Sequence, residues 1–218
     1  MLLDVARDSA EALLKRLKMY KLRAKVEIEA RPQLGVFLNL EGHPANRPTS
    51  YAERAVSFAD PRASGLGVRS IGAIAEMPAN LPGPRAYHEE RLKLGVPEAS
   101  DFGTEKIFAL DAGLDELNGV SFTKGCYVGQ ELTSRMKHRA TARKRILGVT
   151  GRTALPAPGA SIRRGGAEIG ELLSATGMHG FALVRLDRLE ESSGDIVAGE
   201  ISVALTKPAW LTGAAGST

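Results

Sequence analysis

Apolar residues near the start of the chain recur at the spacing of an α-helix. Leu13, Leu14, Leu17 and Tyr20 fall on one side of the helical repeat, and lysine and arginine residues occupy the opposite side. This pattern predicts one amphipathic helix at residues 7–19.

Short runs of β-forming residues follow this helix and are separated by turn-forming residues. They predict strands at residues 26–29, 36–40, 57–60 and 67–71. Residues 41–50 are polar, contain proline and glycine, and are predicted as a loop. A second helix is predicted at 85–94, because Gly95 stands in the position of a helix C-cap.

The pattern changes after Arg145, where short strand-like runs alternate with turns rich in glycine and proline. Such regular spacing is typical of a small β-barrel or sandwich. The runs lie at residues 146–149, 161–162, 168–173, 181–184 and 201–205. We therefore predict an α+β protein with one domain at 1–142, a second at 143–218, and a disordered tail from residue 213.

Composition narrows the class of protein without identifying it. The 218 residues are 43% hydrophobic and 25% charged, which is ordinary for a globular protein. No apolar run is long enough to span a bilayer, and the first residues resemble neither a signal peptide nor a transit peptide. The net charge of +4 favours an anionic ligand or partner. A single cysteine excludes an intramolecular disulfide and favours a reducing, cytoplasm-like compartment.

The lone cysteine lies in a segment of unusual chemistry, Lys-Gly-Cys-Tyr-Val-Gly-Gln-Glu at residues 124–131. A nearby cation such as Lys124 favours the reactive thiolate form of Cys126. Gly125 and Gly129 permit a tight loop that lets a ligand approach the main chain. The alternative from the residues alone is that the cysteine is a small buried apolar side chain.

Two polar side chains end this segment and add to its chemistry. Gln130 offers a hydrogen-bond donor and an acceptor, and Glu131 offers a carboxylate. A Cys–His hydrolase would need one of the four histidines as a base, and none has a recognisable nucleophile context: His43, His88, His138 and His179. A dedicated metal site is not expected, because the paired cysteines or histidines typical of zinc and cluster sites are missing, although one thiolate can be one ligand of a shared cluster.

A basic segment follows at residues 135–145, with six lysines and arginines, one histidine and no acid. Such a patch attracts phosphates or carboxylates, including those of a nucleic acid or a polyglutamylated cofactor. The alternative is a solvated linker between two domains. Aromatic residues do not alternate with the basic side chains, so stacking on nucleobases is not predicted.

The segment at 124–131 closely resembles the K-G-C-[FY]-x-G-Q-E signature of the YgfZ family. The resemblance extends over most of the chain. Residues 87–98 are similar to a helix that ends in a G-[IV]-P-E turn, and residues 114–122 resemble the L-D-x-L-x-G-V-x-F lead-in to the signature. Residues 134–145 resemble the basic segment that follows it, and the helix near the start resembles a middle segment of these proteins.

This resemblance implies a T-protein/YgfZ-like, folate-binding domain of mixed antiparallel sheets with helices, followed by a small C-terminal β-barrel. It implies that the protein binds tetrahydrofolate and assembles or repairs iron–sulfur proteins, including enzymes that modify tRNA. Its expected partners are folate, iron–sulfur assembly proteins, client enzymes and tRNA. Cys126 is then the functional thiol and acts with Lys124. The cofactor side of the site would be formed by Tyr127, Gln130, Glu131, Gly125, Gly129 and, on the predicted helix, Arg91.

Family members carry a further segment before the residues that open this chain, so the chain is expected to be a truncated form or to have a misplaced start. Ala140 also stands where the family often has glycine. Two other functions stay open: an aminomethyltransferase of the T-protein type, and a tRNA-binding module that uses residues 135–145. The expected location is a bacterial cytoplasm, with the mitochondrial matrix as the alternative. A classical turnover enzyme is not expected.

Overall fold

The computed structural model describes residues 1–39, 55–76, 81, 83–103, 106–138 and 143–212. The chain divides into two compact units. One unit comprises Met1–Ala59 with Gly67–Pro82, and the other comprises Asp60–Leu66 with Gly83–Thr218. The predicted boundary between residues 142 and 143 stays a prediction. The predicted loop at 41–50 and the predicted disorder from 213 lie outside the described residues.

The first unit contains one helix and a three-stranded antiparallel sheet. Helix α1 (Arg7–Tyr20) confirms the predicted helix, and none of its residues is fully buried. Strand β3 (Val68–Ala73) lies between β1 (Leu34–Asn39) and β2 (Val56–Ala59). Three of the four predicted strands are thus confirmed. The strand predicted at 26–29 is wrong, because that segment pairs with no described strand.

In the second unit, residues 60–66 are joined by helix α2 (Pro84–Lys93). This helix starts with a proline, whose fixed φ suits the first position of a helix. Gly95 follows it with a φ of +71°, so the predicted helix end is confirmed. A short helix α3 (Ala99–Phe102) was not predicted. Its start is fixed by a capping box, in which Glu98 and Asp101 each bind the other's backbone N–H.

Helix α4 (Gln130–His138) directly follows the cysteine segment and also was not predicted. The chain then forms a closed antiparallel barrel with the strand order β4-β7-β6-β5-β8-β9. The strands are β4 (Lys144–Gly151), β5 (Ser161–Arg164), β6 (Ala167–Thr176), β7 (His179–Arg185), β8 (Ile196–Ala198) and β9 (Ile201–Thr206), with helix α5 (Leu186–Glu191) between β7 and β8. The barrel and five of its strands are as predicted, whereas β8 and α5 were missed.

The barrel is held together by inward-facing apolar side chains. Each fully buried Leu, Ile or Val of this kind contributes roughly 1.5–3 kcal/mol relative to an exposed one. The buried side chains that form this core are Leu147, Val149, Ile162, Ile169, Leu172, Ala182, Val184, Ala198 and Val203.

The chain after the barrel packs back onto the segments that precede it. Trp210 joins a buried cluster with Leu66, Val96 and Leu117. Its indole Nε1 donates a hydrogen bond of 3.1 Å to the carbonyl oxygen of Gly95. These contacts make the barrel and residues 83–138 parts of the same compact unit. In the part of the chain that the structure describes, no helix is long and apolar enough to cross a membrane.

Candidate functional site

Cys126 lies in an exposed segment that leads into α4. Its thiol is solvent-accessible, so the alternative of a buried, apolar cysteine is wrong. Gly129, the residue before the helix, has a φ of +89°, which glycine adopts at little cost. The backbone N–H of Gln130 donates to the carbonyl oxygen of Tyr127 at 3.2 Å and closes the turn. The segment therefore presents the thiol at the start of a helix.

Lys124 and Tyr127 lie together on either side of the cysteine. The Lys124 Nζ atom stands 4.7 Å from the centre of the Tyr127 ring, a cation–π contact. The backbone N–H of Lys124 also donates to Ser121 Oγ at 3.3 Å. Gly125 is exposed, and a Cβ atom placed on it would meet nothing within 4 Å. The structure therefore brings two of the predicted side chains into contact next to the thiol.

A shallow surface recess runs along the first turns of α4. It contains the predicted residues Gln130 and Glu131. Glu131 forms an ion pair with Arg135, one helical turn further on. The other residues that line the recess are Ser134, Arg135 and His138.

Lys137, near the end of α4, contacts two residues that precede the cysteine. Its Nζ atom lies 2.7 Å from Asp115 Oδ2 and 5.6 Å from the centre of the Phe122 ring. The sequence did not predict these roles. The one hint in the sequence was that Asp115 is the aspartate of the L-D-x-L motif at residues 114–117, which resembles the segment that precedes the family signature.

Arg91 occupies a different environment from the other predicted site residues. Its side chain is 2% exposed and donates two hydrogen bonds to Asp101, at 2.6 and 3.2 Å. It also donates to His88 Nδ1 at 2.8 Å and stands 5.8 Å from the centre of the Phe181 ring. The N–H groups of its guanidinium thus bind side chains of the protein itself. The assignment of Arg91 to folate binding stays a prediction.

A second polar cluster surrounds Arg62 and includes Tyr87 of α2. Arg62 binds Asp60 through two hydrogen bonds, at 3.0 and 2.8 Å, and reaches Glu98 at 2.9 Å. Tyr87 accepts a further bond from Arg62 at 2.8 Å and donates to Glu98. Burial of the Glu98 carboxyl favours its neutral form, but the bonds from Tyr87 and Arg62 outweigh this and lower its pKa. The groups satisfy one another, as in a structural network.

The basic segment at 135–145 is partly neutralised by acids. Arg135 pairs with Glu131, and Arg145 donates to Glu116 at 3.0 Å. Arg143 and Lys144 are exposed. Residues 139–142, including Ala140, lie outside the described part of the chain, as does His43. Among the described residues, no group of three or more His, Cys, Asp or Glu side chains is arranged to hold a metal ion.

The structure describes two open surface recesses, and tetrahydrofolate binding stays a prediction. Small-molecule sites bury most of their ligand in a concave, largely apolar pocket. The recess on α4 is open and is lined by polar and charged side chains. A second surface recess in the first unit is lined by Lys18, Lys21, Glu27, Ile28 and Glu29.

The closed barrel defines the class of domain at the C-terminal end of the chain. Residues 143–213 match the sequence profile of the CAF17 C-terminal beta-barrel domain. The match begins one residue before β4 and therefore spans all the strands of the barrel. The predicted α+β fold with a C-terminal barrel is confirmed.

Most of the chain is also similar to particular curated proteins. The chain is 35% identical to the human "Iron-sulfur cluster assembly factor IBA57, mitochondrial", over 91% of this chain and 61% of the relative. It is 35% identical to the mouse protein of the same name, over 82% of this chain and 54% of the relative. The homologue from Coccidioides immitis is 31% identical, over 88% of this chain and 55% of the relative.

These homologues are iron–sulfur cluster assembly factors, which is the kind of protein that the YgfZ resemblance implied. Membership of the YgfZ family in particular stays a prediction. The chain spans little more than half the length of the curated relatives that it matches.

Proposed function

We propose that this protein acts in the assembly or repair of iron–sulfur clusters and that Cys126 is its functional thiol. The observation that carries the proposal is the similarity to iron–sulfur assembly factors over nine-tenths of the chain. The exposed position of the only cysteine supports it, because a thiol at the surface is open to a partner protein. Iron–sulfur assembly proteins and client enzymes are the partners that this function requires.

In this proposal the thiolate of Cys126 is a transient ligand to iron in a cluster that a partner holds. Clusters are held by several protein ligands, so one thiolate does not house a cluster alone. Lys124, two residues before Cys126, places its ammonium group 4.7 Å from the centre of the Tyr127 ring. Tyr127 holds the Lys124 ammonium group over its ring and so limits the positions of that charge.

Complementation tests this function. Cells that lack their own assembly factor would receive this protein, the Cys126→Ala variant or the Lys124→Ala variant, and the activities of cluster-containing enzymes would be measured. We expect the parent protein to restore these activities and both variants to fail or restore them poorly. Met178→Ala is a matched control, because Met178 is an exposed side chain on a barrel turn. Full complementation by Cys126→Ala would contradict the role of the thiol.

Tetrahydrofolate binding is a separate part of the proposal. It rests on the resemblance of residues 124–131 to the YgfZ signature and places the cofactor near Tyr127, Gln130 and Glu131. Titration calorimetry of reduced tetrahydrofolate into the purified chain tests it, with a Gln130→Ala variant alongside. Binding that Gln130→Ala weakens would support the assignment. The absence of measurable heat would remove folate from the function of this chain and leave Cys126 to be explained by a protein partner.

The same comparison bears on the location. The relatives carry the word mitochondrial in their names, which supports the mitochondrial alternative for this chain over a bacterial cytoplasm. Binding of tRNA stays a prediction from the basic segment. Its test is the salt dependence of binding, since each phosphate contact releases counterions.

A further inference from the structure

Lys137 connects helix α4 to the chain on the other side of Cys126. The lysine lies on the last turn of α4, after the thiol, whereas its contacts Asp115 and Phe122 come before the thiol in sequence. The ion pair at 2.7 Å and the ring contact at 5.6 Å therefore close a loop that contains the whole segment 124–131.

The acid that Lys137 binds is not an ordinary surface carboxylate. The Asp115 side chain is 4% exposed, and its second oxygen, Oδ1, is buried as well. Burial favours the neutral form of Asp115, but its bonds to Glu116 and Lys137 outweigh this and lower its pKa. A buried carboxylate that loses its cation is costly, which makes this contact stronger than an exposed pair.

Glu116, the residue after Asp115, contacts the barrel. Glu116 accepts a hydrogen bond of 3.0 Å from Arg145, on strand β4 of the barrel. Two adjacent acids thus hold one cation from α4 and one from the barrel. The thiol segment is in this way tied to a rigid sheet through side chains that lie outside the signature.

Contacts inside the thiol segment are local by comparison. Lys124 N–H binds Ser121 Oγ, and Gln130 N–H binds the carbonyl oxygen of Tyr127. Bonds between residues this close in sequence shape turns but do not fix the position of the segment on the protein. The contacts of Lys137 span from residue 137 to residues 115 and 122, so they remove much more conformational freedom.

We propose that Lys137 is a positioning residue, which clamps α4 to Asp115 and Phe122 and so sets the position and mobility of Cys126. Its functional meaning rests on the proposed function of the thiol, but the clamp itself is a property of the isolated protein. The lysine does not act on a substrate or cluster.

Two measurements on the full chain test the clamp. Because Cys126 is the only cysteine, a methanethiosulfonate nitroxide labels it without further mutation, and its spectrum reports local mobility. Hydrogen exchange of the amides at 121–129 reports the opening of the same segment. In Lys137→Met we expect a new mobile nitroxide component and exchange about fivefold faster across 121–129.

Three other variants sharpen the result. Lys137→Arg keeps a cation in reach of Asp115 and should restore the parent spectrum. Asp115→Asn should reproduce the effect of Lys137→Met, and the double variant should add little, as expected for two partners of one contact. Since the double variant also removes the buried charge, it keeps the test open if Lys137→Met folds poorly. Lys93→Met is the matched control, because Lys93 pairs with Glu90 within its own helix.

The outcomes separate the clamp from its alternatives. Unchanged nitroxide mobility and exchange in Lys137→Met would overturn the proposal. So would faster exchange spread evenly over the barrel, since Lys137 would then serve global stability. Neither measurement uses a cluster, a partner or folate. The clamp can therefore fail while the proposed function stands, and complementation by Cys126→Ala would refute the function without affecting the clamp.

Discussion

Arg91 and Asp101 form a buried ion pair in which each side chain is only 2% exposed and the closest nitrogen and oxygen atoms are 2.6 Å apart. The arginine comes from α2 and the aspartate from α3, so the pair joins two helices. Asp101 Oδ2 also accepts a 2.8 Å hydrogen bond from the backbone N–H of Glu98, which starts α3. One buried carboxylate therefore organises both the helix start and the helix contact.

The first prediction concerns the stability that depends on this pair. Replacement of Arg91 by Met leaves Asp101 buried without its cation, and we expect the free energy of unfolding to fall by about 3–5 kcal/mol. Arg85→Met is the matched control, because Arg85 forms an exposed pair with Glu89 on the same helix. That change should cost less than about 0.5 kcal/mol. Urea denaturation measures both, and similar losses in the two variants would contradict the structural role of Arg91.

The second prediction concerns pH and involves His88, which contacts the same arginine. Arg91 donates to Nδ1 of His88, so the ring proton lies on Nε2 and is donated to Thr176 Oγ1 at 2.7 Å. Burial first, and then the charge of Arg91, lower the pKa of His88 below its usual 6.5. The folded protein therefore resists protonation at this site.

The sign of the pH dependence follows from linkage. Well above pH 6.5 the histidine is neutral in both folded and unfolded chains, so it contributes no slope. As the pH falls below 6.5, the unfolded chain binds the proton first, and stability is lost. We expect His88→Gln to flatten the decline of unfolding free energy between about pH 7 and pH 5.5, measured by urea titrations at each pH.

The third prediction compares two glycines with similar backbones and different surroundings. Gly113 has a φ of +71° and Gly177 a φ of +59°. A Cβ atom at Gly113 would overlap the ring of Trp210, whereas one at Gly177 would meet nothing within 4 Å. Gly177→Ala should cost only the left-handed backbone, about 1–2 kcal/mol.

Gly113→Ala should cost this amount and about 1–3 kcal/mol more for the overlap with the indole. Thermal or urea denaturation of both variants measures the difference. If the two alanines cost the same, the packing of Trp210 against residue 113 does not contribute as the structure indicates. Tryptophan fluorescence reports the same site directly, because Trp210 is the only tryptophan.

Five strands of the barrel were predictable because their short apolar runs are separated by turns rich in glycine and proline. Residues 26–29 show the limit of this reasoning. Their alternating pattern favours a strand, but β propensity depends on a partner, and Val26 is half exposed with no described strand next to it. The three residues of β8 were missed because so short a run has no visible period.

The chemistry of the candidate site was predictable in part. The resemblance located the thiol and its neighbours, but the polar sequence 130–138 gave little sign of a helix. Its apolar positions are few, and tertiary contacts such as Lys137 with Asp115 contribute to its stability. Arg91 was selected from its place on a helix, and only the structure places its guanidinium next to Asp101. Contacts between residues distant in sequence were not accessible to pattern reasoning.

The last prediction tests whether Gly125 matters for function but not for stability. The structure gives no steric reason for glycine here, since its φ is not positive and an added Cβ would meet nothing within 4 Å. We therefore expect Gly125→Ala to change the free energy of unfolding by less than about 0.5 kcal/mol. If the residue matters because a partner or ligand approaches the main chain next to Cys126, complementation should nevertheless fall.

Gly129→Ala is the contrasting variant. Its φ of +89° predicts a loss of stability of about 1–2 kcal/mol that Gly125→Ala does not share. Denaturation and complementation would be measured on both variants. A stable Gly125→Ala protein that fails to complement would indicate that the surface beside the thiol must stay open to another molecule. A stable variant that complements fully would show that close approach at residue 125 is not required.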